Sequence, residues 1–227
     1  MRAAMPNRVI AIGDIHGCVV ALHTLIKLID PQPEDVLIPL GDCVDRGPDS
    51  REVIVELLAL RERCRLVPLM GNHEEMMLNF LEGRPQPDNW LLCGGEETLN
   101  SYTRFDKKAS IPREHTDFIH TWVDYAETNT HFFAHGGYHP DQRLPEQRWQ
   151  MWRWHSLRQS VPGPHVSGKT AVVGHTSLKD GEILDLGHLV CIDTYCWGGG
   201  WLTALDTTTG KIWQVDREGQ IRNDEIQ

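Results

Sequence analysis

The chain has 227 residues, 40% of them hydrophobic and 24% charged, with a formal net charge of −10. That length and balance fit one soluble α/β domain with a full core; the acidity argues against a non-specific nucleic-acid binder, and no apolar run approaches the ~20 residues that cross a bilayer. Neither nucleic acid nor membrane is an expected partner, and oligomeric state is left open. Met1 to Asn7 carries no apolar secretory stretch, and six cysteines without a C-x-x-C pair read as reduced thiols, so the expected compartment is cytoplasmic.

The N-terminal third reads β-α-β-α-β-α. A first strand ends at Ile12, and Val19, Val20, Leu22, Leu25, Ile26 and Ile29 then recur at helical spacing. Pro31-Gln32-Pro33 closes that helix, and a second strand runs to Leu40. Asp49-Ser50 caps a helix through Leu60; Arg65 to Leu69 is a third strand, and another helix begins near Glu74. Alternation of this kind predicts right-handed crossovers and a largely parallel sheet. Residues 82–129 break the rhythm. Prolines near Gly83, then Trp90-Leu91-Leu92, Gly94-Gly95 and a mixed helical stretch predict a small α-rich cap inserted into a single domain over 1–227. Strands return at His131–Ala134, Thr170–Val173, Leu189–Ile192, Trp201–Leu205 and Lys211–Val215, the last two joined by a turn at Thr208-Thr209-Gly210. A polar tail follows from Glu218.

The strand ends carry the chemistry. Gly13-Asp14-Ile15-His16-Gly17, Gly41-Asp42-Cys43-Val44-Asp45-Arg46-Gly47 and Gly71-Asn72-His73-Glu74 each follow directly on an apolar run, as do His135-Gly136 and Gly174-His175. Ligands of open α/β sheets bind beyond the carboxyl ends of the strands, and carboxylate, imidazole and amide oxygen are donors for divalent metals. Asp14, Asp42, Asn72 and the histidines His16, His135 and His175 exceed what one metal needs. They suit two ions about 3.5 to 4 Å apart with one bridging carboxylate. Two divalent cations outweigh two carboxylates and one hydroxide, so such a site stays net positive and draws a phosphate dianion into an acidic protein. Taken singly, His175 or the Asp-x-x-Asp-Arg-Gly run would read as a structural residue and a solvated turn. Three motifs in succession do not. His115, His120, His139, His155, His165, His188 and the tryptophans read as packing or surface residues.

At these residues the chain resembles the phosphoprotein phosphatase (PPP) family of metallophosphoesterases. Its pattern GDxHG, GDxVDRG, GNHE and two later histidines is met in order by Gly13–Gly17, Gly41–Gly47, Gly71–Glu74, His135 and His175. Trp90-Leu91-Leu92-Cys93-Gly94-Gly95 is similar to the WLLxGG segment of the bacterial and bacteriophage branch of serine/threonine protein phosphatases. Ile192-Asp193-Thr194, Gly199 and Leu202-Thr203 are similar to its closing segment. The resemblance implies a calcineurin-like fold, a central β-sandwich flanked by helices with a small α-rich cap. It implies Asp14, His16 and Asp42 around one metal and Asp42, Asn72, His135 and His175 around the other, with manganese the family-based choice and iron or zinc also accepted. A metal-bridging hydroxide would attack phosphorus in line. His73 would protonate the leaving oxygen, with Asp45 orienting it, and Arg46 would clamp phosphate oxygens. The branch places a second phosphate-binding arginine two residues after a tryptophan; here Trp152-Arg153-Trp154 sets it one residue early, which makes Arg153 the candidate and Arg158 its alternative. Asp193-Thr194-Tyr195 also lacks the branch's glycine after threonine, which alters the substrate rim.

The implied activity is a metal-dependent phosphomonoesterase acting on phosphoserine and phosphothreonine, with phosphotyrosine as a further substrate, in a phosphorylated protein or peptide partner. Symmetrical dinucleoside tetraphosphate hydrolysis on the same scaffold is the alternative. Those hydrolases carry alanine in place of Asp45 and aspartate in place of Glu74, so both residues favour the phosphatase. A non-catalytic relic would have lost a ligand or the acid, and every position is filled.

Overall fold

The computed structural model describes residues 8–85, 89–104 and 110–222. Met1–Asn7, two short stretches of the predicted insertion and the end of the polar tail lie outside the described residues. β1 (Val9–Ile12), α1 (Val19–Ile29), β2 (Val36–Pro39), α2 (Ser50–Arg61), β3 (Arg65–Leu66) and α3 (Asn72–Leu81) follow one another as the alternation predicts. β1 pairs in parallel with β2, Val9 opposite Val36, and β2 with β3, Val36 opposite Arg65. The third strand is regular for two residues only, but Val67 and Leu69 go on donating to the carbonyls of Leu37 and Pro39 at 2.9 and 2.8 Å. Pro68 between them faces the edge, where its missing N–H costs no ladder bond.

The segment predicted as an α-rich insertion holds a 3₁₀ turn (Trp90–Cys93), α4 (Gly95–Thr103) and α5 (Arg113–Ile119). Its last part is β4 (Tyr125–Glu127), which pairs antiparallel with β5 (His131–Ala134) and so belongs to a sheet. Then come α6 (Trp149–Trp154), β6 (Thr170–Val173), β7 (Leu184–Asp185), β8 (Leu189–Cys191), β9 (Trp201–Asp206) and β10 (Ile212–Asp216). The strands form two five-stranded sheets, β10-β9-β1-β2-β3 and β4-β5-β6-β8-β7. Both are mixed, which corrects the expectation of a largely parallel sheet. β9, β10, β4 and β7 all pair antiparallel with a neighbour. The links β4–β5, β7–β8 and β9–β10 are only a few residues long, and a tight turn can join strands only antiparallel.

Side chains alternate between the faces of each strand, and that alternation builds the layers. Ala11, Ile38, Leu40 and Leu69 of the first sheet meet Phe133, Val172 and Ile192 of the second. Ile10, Ile12 and Leu37 turn the other way, onto Leu22 and Leu25 of α1 and Val53 and Leu57 of α2. Phe132, Ala134, Ala171 and Val173 turn outward onto Tyr138, Trp152 and Leu157. The fold is therefore α/β: two sheets face to face with helices outside, the β-sandwich that the resemblance implies. Each fully buried Leu, Ile or Phe contributes about 1.5–3 kcal/mol to holding the layers. Among the described residues no helix is long and apolar enough to cross a membrane.

One polar clamp fixes the start of the first sheet. Asp35 accepts from the backbone N–H of Gln32 at 2.8 Å, from that of Arg8 at 3.2 Å and from the Arg8 guanidinium, whose Nη1 reaches the Ile29 carbonyl at 3.0 Å. Burial pushes the Asp35 carboxyl up, but Arg8 and these backbone donors outweigh it and hold it below its usual range. A depressed native value means stability that is present above the unfolded value of 3.8 and is lost as pH falls through the native one. Asp35→Asn is expected to cost about 2 kcal/mol at pH 7, the range for hydrogen bonds to a charged group. In urea denaturation, the gap between variant and wild type should narrow below pH 4. A gap that is flat with pH would show that the charge of Asp35 is not what holds the clamp.

Candidate active site

Every motif singled out in the sequence lies just past a strand. Gly13–Gly17 follows β1, Gly41–Gly47 follows β2 and Gly71 opens α3 beyond β3, while His135 follows β5 and His175 stands one glycine after β6. The two sheets thus bring their motifs to one edge of the sandwich. The loops are locked to each other by backbone bonds: Ile15 and His16 N–H donate to the Asp42 carbonyl at 3.1 and 2.8 Å, and Gly174 N–H donates to the His135 carbonyl at 2.9 Å. The approach leaves no room for side chains at two glycines. A Cβ on Gly47 would lie 2.0 Å from the His16 carbonyl oxygen, and one on Gly71 would lie 2.3 Å from Asp42 Oδ1. Backbone strain gathers at the same place. His16, Asp42, Asp45, Arg46, His175 and Tyr195 all have φ between 44° and 71°, a region non-glycine residues rarely occupy unless their surroundings impose it.

Glu74 explains much of that rigidity. Its buried carboxylate accepts from the backbone N–H groups of Gly71 (3.1 Å), Asp42 (2.9 Å), Cys43 (2.7 Å) and Val44 (3.2 Å). It closes the first turn of α3 as a capping box does and at the same time ties the second motif to the third.

Two donor sets share Asp42. His16, Asp42 and His73 form one, and Asp42, His135 and His175 the other, the ligand atoms of each lying within 4.8 Å of one another. Asp42 Oδ2 is 3.5 Å from His16 Nε2 and 3.8 Å from His73 Nε2, and Oδ1 is 3.3 Å from His135 Nε2. The first set differs from the implied one, with His73 where Asp14 was expected. Asp14 instead turns both carboxylate oxygens to the His175 N–H, at 3.1 Å each. Asn72 Oδ1 stands 3.0 Å from His135 Nε2.

The donor chemistry calls for cations. His16 and His135 donate through Nδ1–H to the carbonyls of Val44 and Leu40, at 2.8 and 2.9 Å, which aims Nε2 of each ring into the site. Around His135, Nε2 meets the Asn72 and Asp42 oxygens at 3.0 and 3.3 Å, a cluster of ligand atoms of the kind that suits a divalent cation. Burial, then Asp193 and Asp42, push the Asp14 carboxyl well above its usual range. Burial alone would raise Asp42 too, but His135, His73 and His16 hold it well below. Burial works to lower His135, and Asp42 and Glu74 overcome it and raise the imidazole. Burial takes His16 well below its ordinary value and His175 to about 3, so both are neutral donors. Buried carboxylates facing neutral imidazoles fit divalent metal ions.

Beside the donor sets, His73 Nδ1–H donates to Asp45 Oδ2 at 2.7 Å. Asp45 is fully buried and held by further partners: Trp90 Nε1–H donates to Oδ2 at 2.8 Å, Thr98 Oγ1–H to Oδ1 at 2.6 Å, and its own N–H reaches Ser50 Oγ and Thr98 Oγ1. Arg46 Nη1 donates to His16 Nε2 at 3.0 Å, and its guanidinium lies 5.0 Å over the Trp197 ring. His73, Asn72 and Arg46 open onto a cleft of about 690 Å³. Leu91–Gly94, Glu96 and Glu97 line it, as do Trp154, Arg158, Ser177, Lys179, Tyr195 and Trp197.

Arg153 is not brought to this cleft. Its guanidinium pairs with Asp124 at 2.7 Å and Glu75 at 3.3 Å, over Trp149, in a separate depression behind α3. Trp152 is buried and sets the phase of α6; one residue further turns the helix by about 100°, away from the cleft. Arg158, the alternative, lines the cleft and donates to the Ser177 carbonyl at 2.5 Å. Sequence reasoning missed the holders Trp90 and Thr98, the backbone-binding part played by Glu74, and Asp193. The last is buried beside Asp14 and accepts from Ser177 Oγ at 2.8 Å. Its place just past β8 was the available signal.

The profile of the calcineurin-like phosphoesterase family matches residues 7–198. Serine/threonine-protein phosphatase 1 of Salmonella typhimurium is 30% identical over 204 residues, 85% of this chain and 88% of that protein. The asymmetrical bis(5'-nucleosyl)-tetraphosphatase PrpE of Anoxybacillus flavithermus is 30% identical over 223 residues, 86% and 88%. A solved structure assigned as a diadenosine tetraphosphatase covers 93% of this chain and 94% of its own at a TM-score of 0.70 and 22% identity, a likeness of fold.

Proposed function

The chain belongs to the calcineurin-like phosphoesterase family, hydrolases of phosphoester bonds, and from that premise we propose that it is a dinuclear-metal phosphomonoesterase acting on phosphoserine and phosphothreonine in proteins. The observation that carries this reading is the juxtaposition of two donor sets sharing Asp42 with the His73–Asp45 pair beside them. Asp42, His16, His135 and His175, with Asn72 and Asp14 at their margins, would hold two divalent ions, manganese being the first to test. When bound, the ions supply charge neutralisation and a water acidic enough to act as nucleophile near neutral pH.

The chain's own residues do the rest. Asp45 fixes the His73 ring by its Nδ1–H, so Nε2 faces the cleft and carries a proton to the leaving oxygen. Trp90 and Thr98 donate to the same carboxylate, so Asp45 is held in place under the ring. Arg46 presents a planar fork at the cleft floor, held flat by Trp197, to grip equatorial phosphate oxygens.

Dinucleoside tetraphosphate hydrolysis is the second reading. It is favoured by a relative with that activity in its name, which matches as much of the chain at the same identity. Asp45 and Glu74 support the first, because both are built into the site. Metal-stripped protein reconstituted with manganese should turn over phosphoserine and phosphothreonine peptides faster than diadenosine tetraphosphate. A preference for the dinucleotide would keep the metal chemistry and overturn the substrate class.

A further inference from the structure

The cleft is electrically divided, and contacts around its floor order the two halves. Lys179 Nζ lies 5.9 Å over the Tyr195 ring, and Tyr195 packs edge-on to Trp197 at 5.0 Å. Arg46 lies over the far partner of that pair, Trp197, at 5.0 Å, and its backbone N–H donates to the Gly94 carbonyl at 3.3 Å. Gly94 opens α4, whose first turn carries Glu96 and Glu97. Arg46, the group that would grip the reacting phosphate, therefore stands between a cationic wall and an acidic one. Lys179, Glu96 and Glu97 are all exposed and all line the cleft, and no ion pair to any of them is found among the described residues. Arg158 adds a second cation on the Lys179 side.

Tyr195 makes this wall possible. It stands where the resembling branch has glycine, in the left-handed region at φ 65°, with its ring against Gly198, where a Cβ would lie 2.0 Å from the ring. That ring carries Lys179 toward the cleft.

We infer that the cleft selects phosphopeptides by charge order, taking an acidic side chain on the Lys179 side of the phosphoresidue and a basic one on the Glu96/Glu97 side. The inference rests on the phosphoprotein reading above and deepens it. A uniformly anionic substrate gains on one wall and is repelled at the other; a peptide with opposite charges on its two flanks gains at both. Exposed pairs are individually weak, so the selection is a matter of a few-fold per charge and fades as salt rises.

The test uses four phosphoserine peptides, acidic–acidic, basic–basic, acidic–basic and basic–acidic about the phosphoresidue, beside p-nitrophenyl phosphate, which has no flanks. One of the two mixed orders should exceed the other by about ten-fold in kcat/KM at low salt. Lys179→Glu should lower the favoured peptide by about five-fold and leave p-nitrophenyl phosphate unchanged. The triple reversal Lys179→Glu, Glu96→Lys, Glu97→Lys, all at exposed positions, should switch the preference to the other mixed order. Equal rates on all four peptides, or a preference that the triple reversal does not move, overturn the inference and leave the phosphoprotein reading standing. Hydrolysis of p-nitrophenyl phosphate with no turnover of any peptide overturns both.

Discussion

Asp42→Asn is expected to lower turnover by about 10³-fold or more and to impair both metal positions together. Asp42 is the one residue common to the two donor sets. Its two oxygens face different partners, Oδ2 toward His16 and His73 and Oδ1 toward His135. Asparagine keeps one oxygen and puts an NH₂ where the other stood, so it can serve one set at most. The replacement is a clean one for the backbone. Asp42 sits at φ 48°, and asparagine is among the few residues that tolerate the left-handed region. The N–H of residue 42, its carbonyl and the Glu74 clamp all survive the change. Elemental analysis of the purified variant checks the metal loss, and near-ultraviolet circular dichroism checks the fold. A variant that keeps two ions and full activity would remove Asp42 from the centre of the account.

His73→Asn separates acid from ligand. As a proton donor, His73 is worth about 10²- to 10⁴-fold on an alkoxide leaving group such as serine, and little on p-nitrophenolate, which leaves without a proton. Metal content should be unchanged. His73 Nε2 also stands within the His16–Asp42 donor set, so the opposite outcome has a definite meaning. Loss of one ion, with equal damage on good and poor leaving groups, would make His73 a ligand and leave the proton to another group. Asp45→Asn serves as a partner measurement. It should reproduce the leaving-group dependence, because Asp45 meets the proton donor at the His73 ring.

The three glycine-spaced motifs were legible because each side chain's position follows from the strand just before it. Once Val9–Ile12, Val36–Pro39 and the Arg65 strand lie in register, Asp14, Asp42 and Asn72 must meet at one edge. What the sequence hid depends on contacts far along the chain or on small rotations. Trp90 and Thr98 reach Asp45 from 45 and 53 residues away, and no local pattern announces that. Arg153 misses the cleft by the angular step of one helical residue after Trp152. The antiparallel flanks were hidden by their brevity, since β4 and β7 span three residues and two and leave no alternation to read. Tyr195 was legible as a departure from the pattern, but its consequence lay in Lys179 and Trp197, which only the fold places beside it.

The most direct measurement is a titration of metal-stripped protein with manganese, following bound metal and p-nitrophenyl phosphate turnover in the same samples. Two donor sets sharing one carboxylate predict that activity rises with binding and saturates at two ions per chain. Full turnover at one ion per chain, or turnover that persists after chelation, would contradict a reaction run by a dinuclear centre.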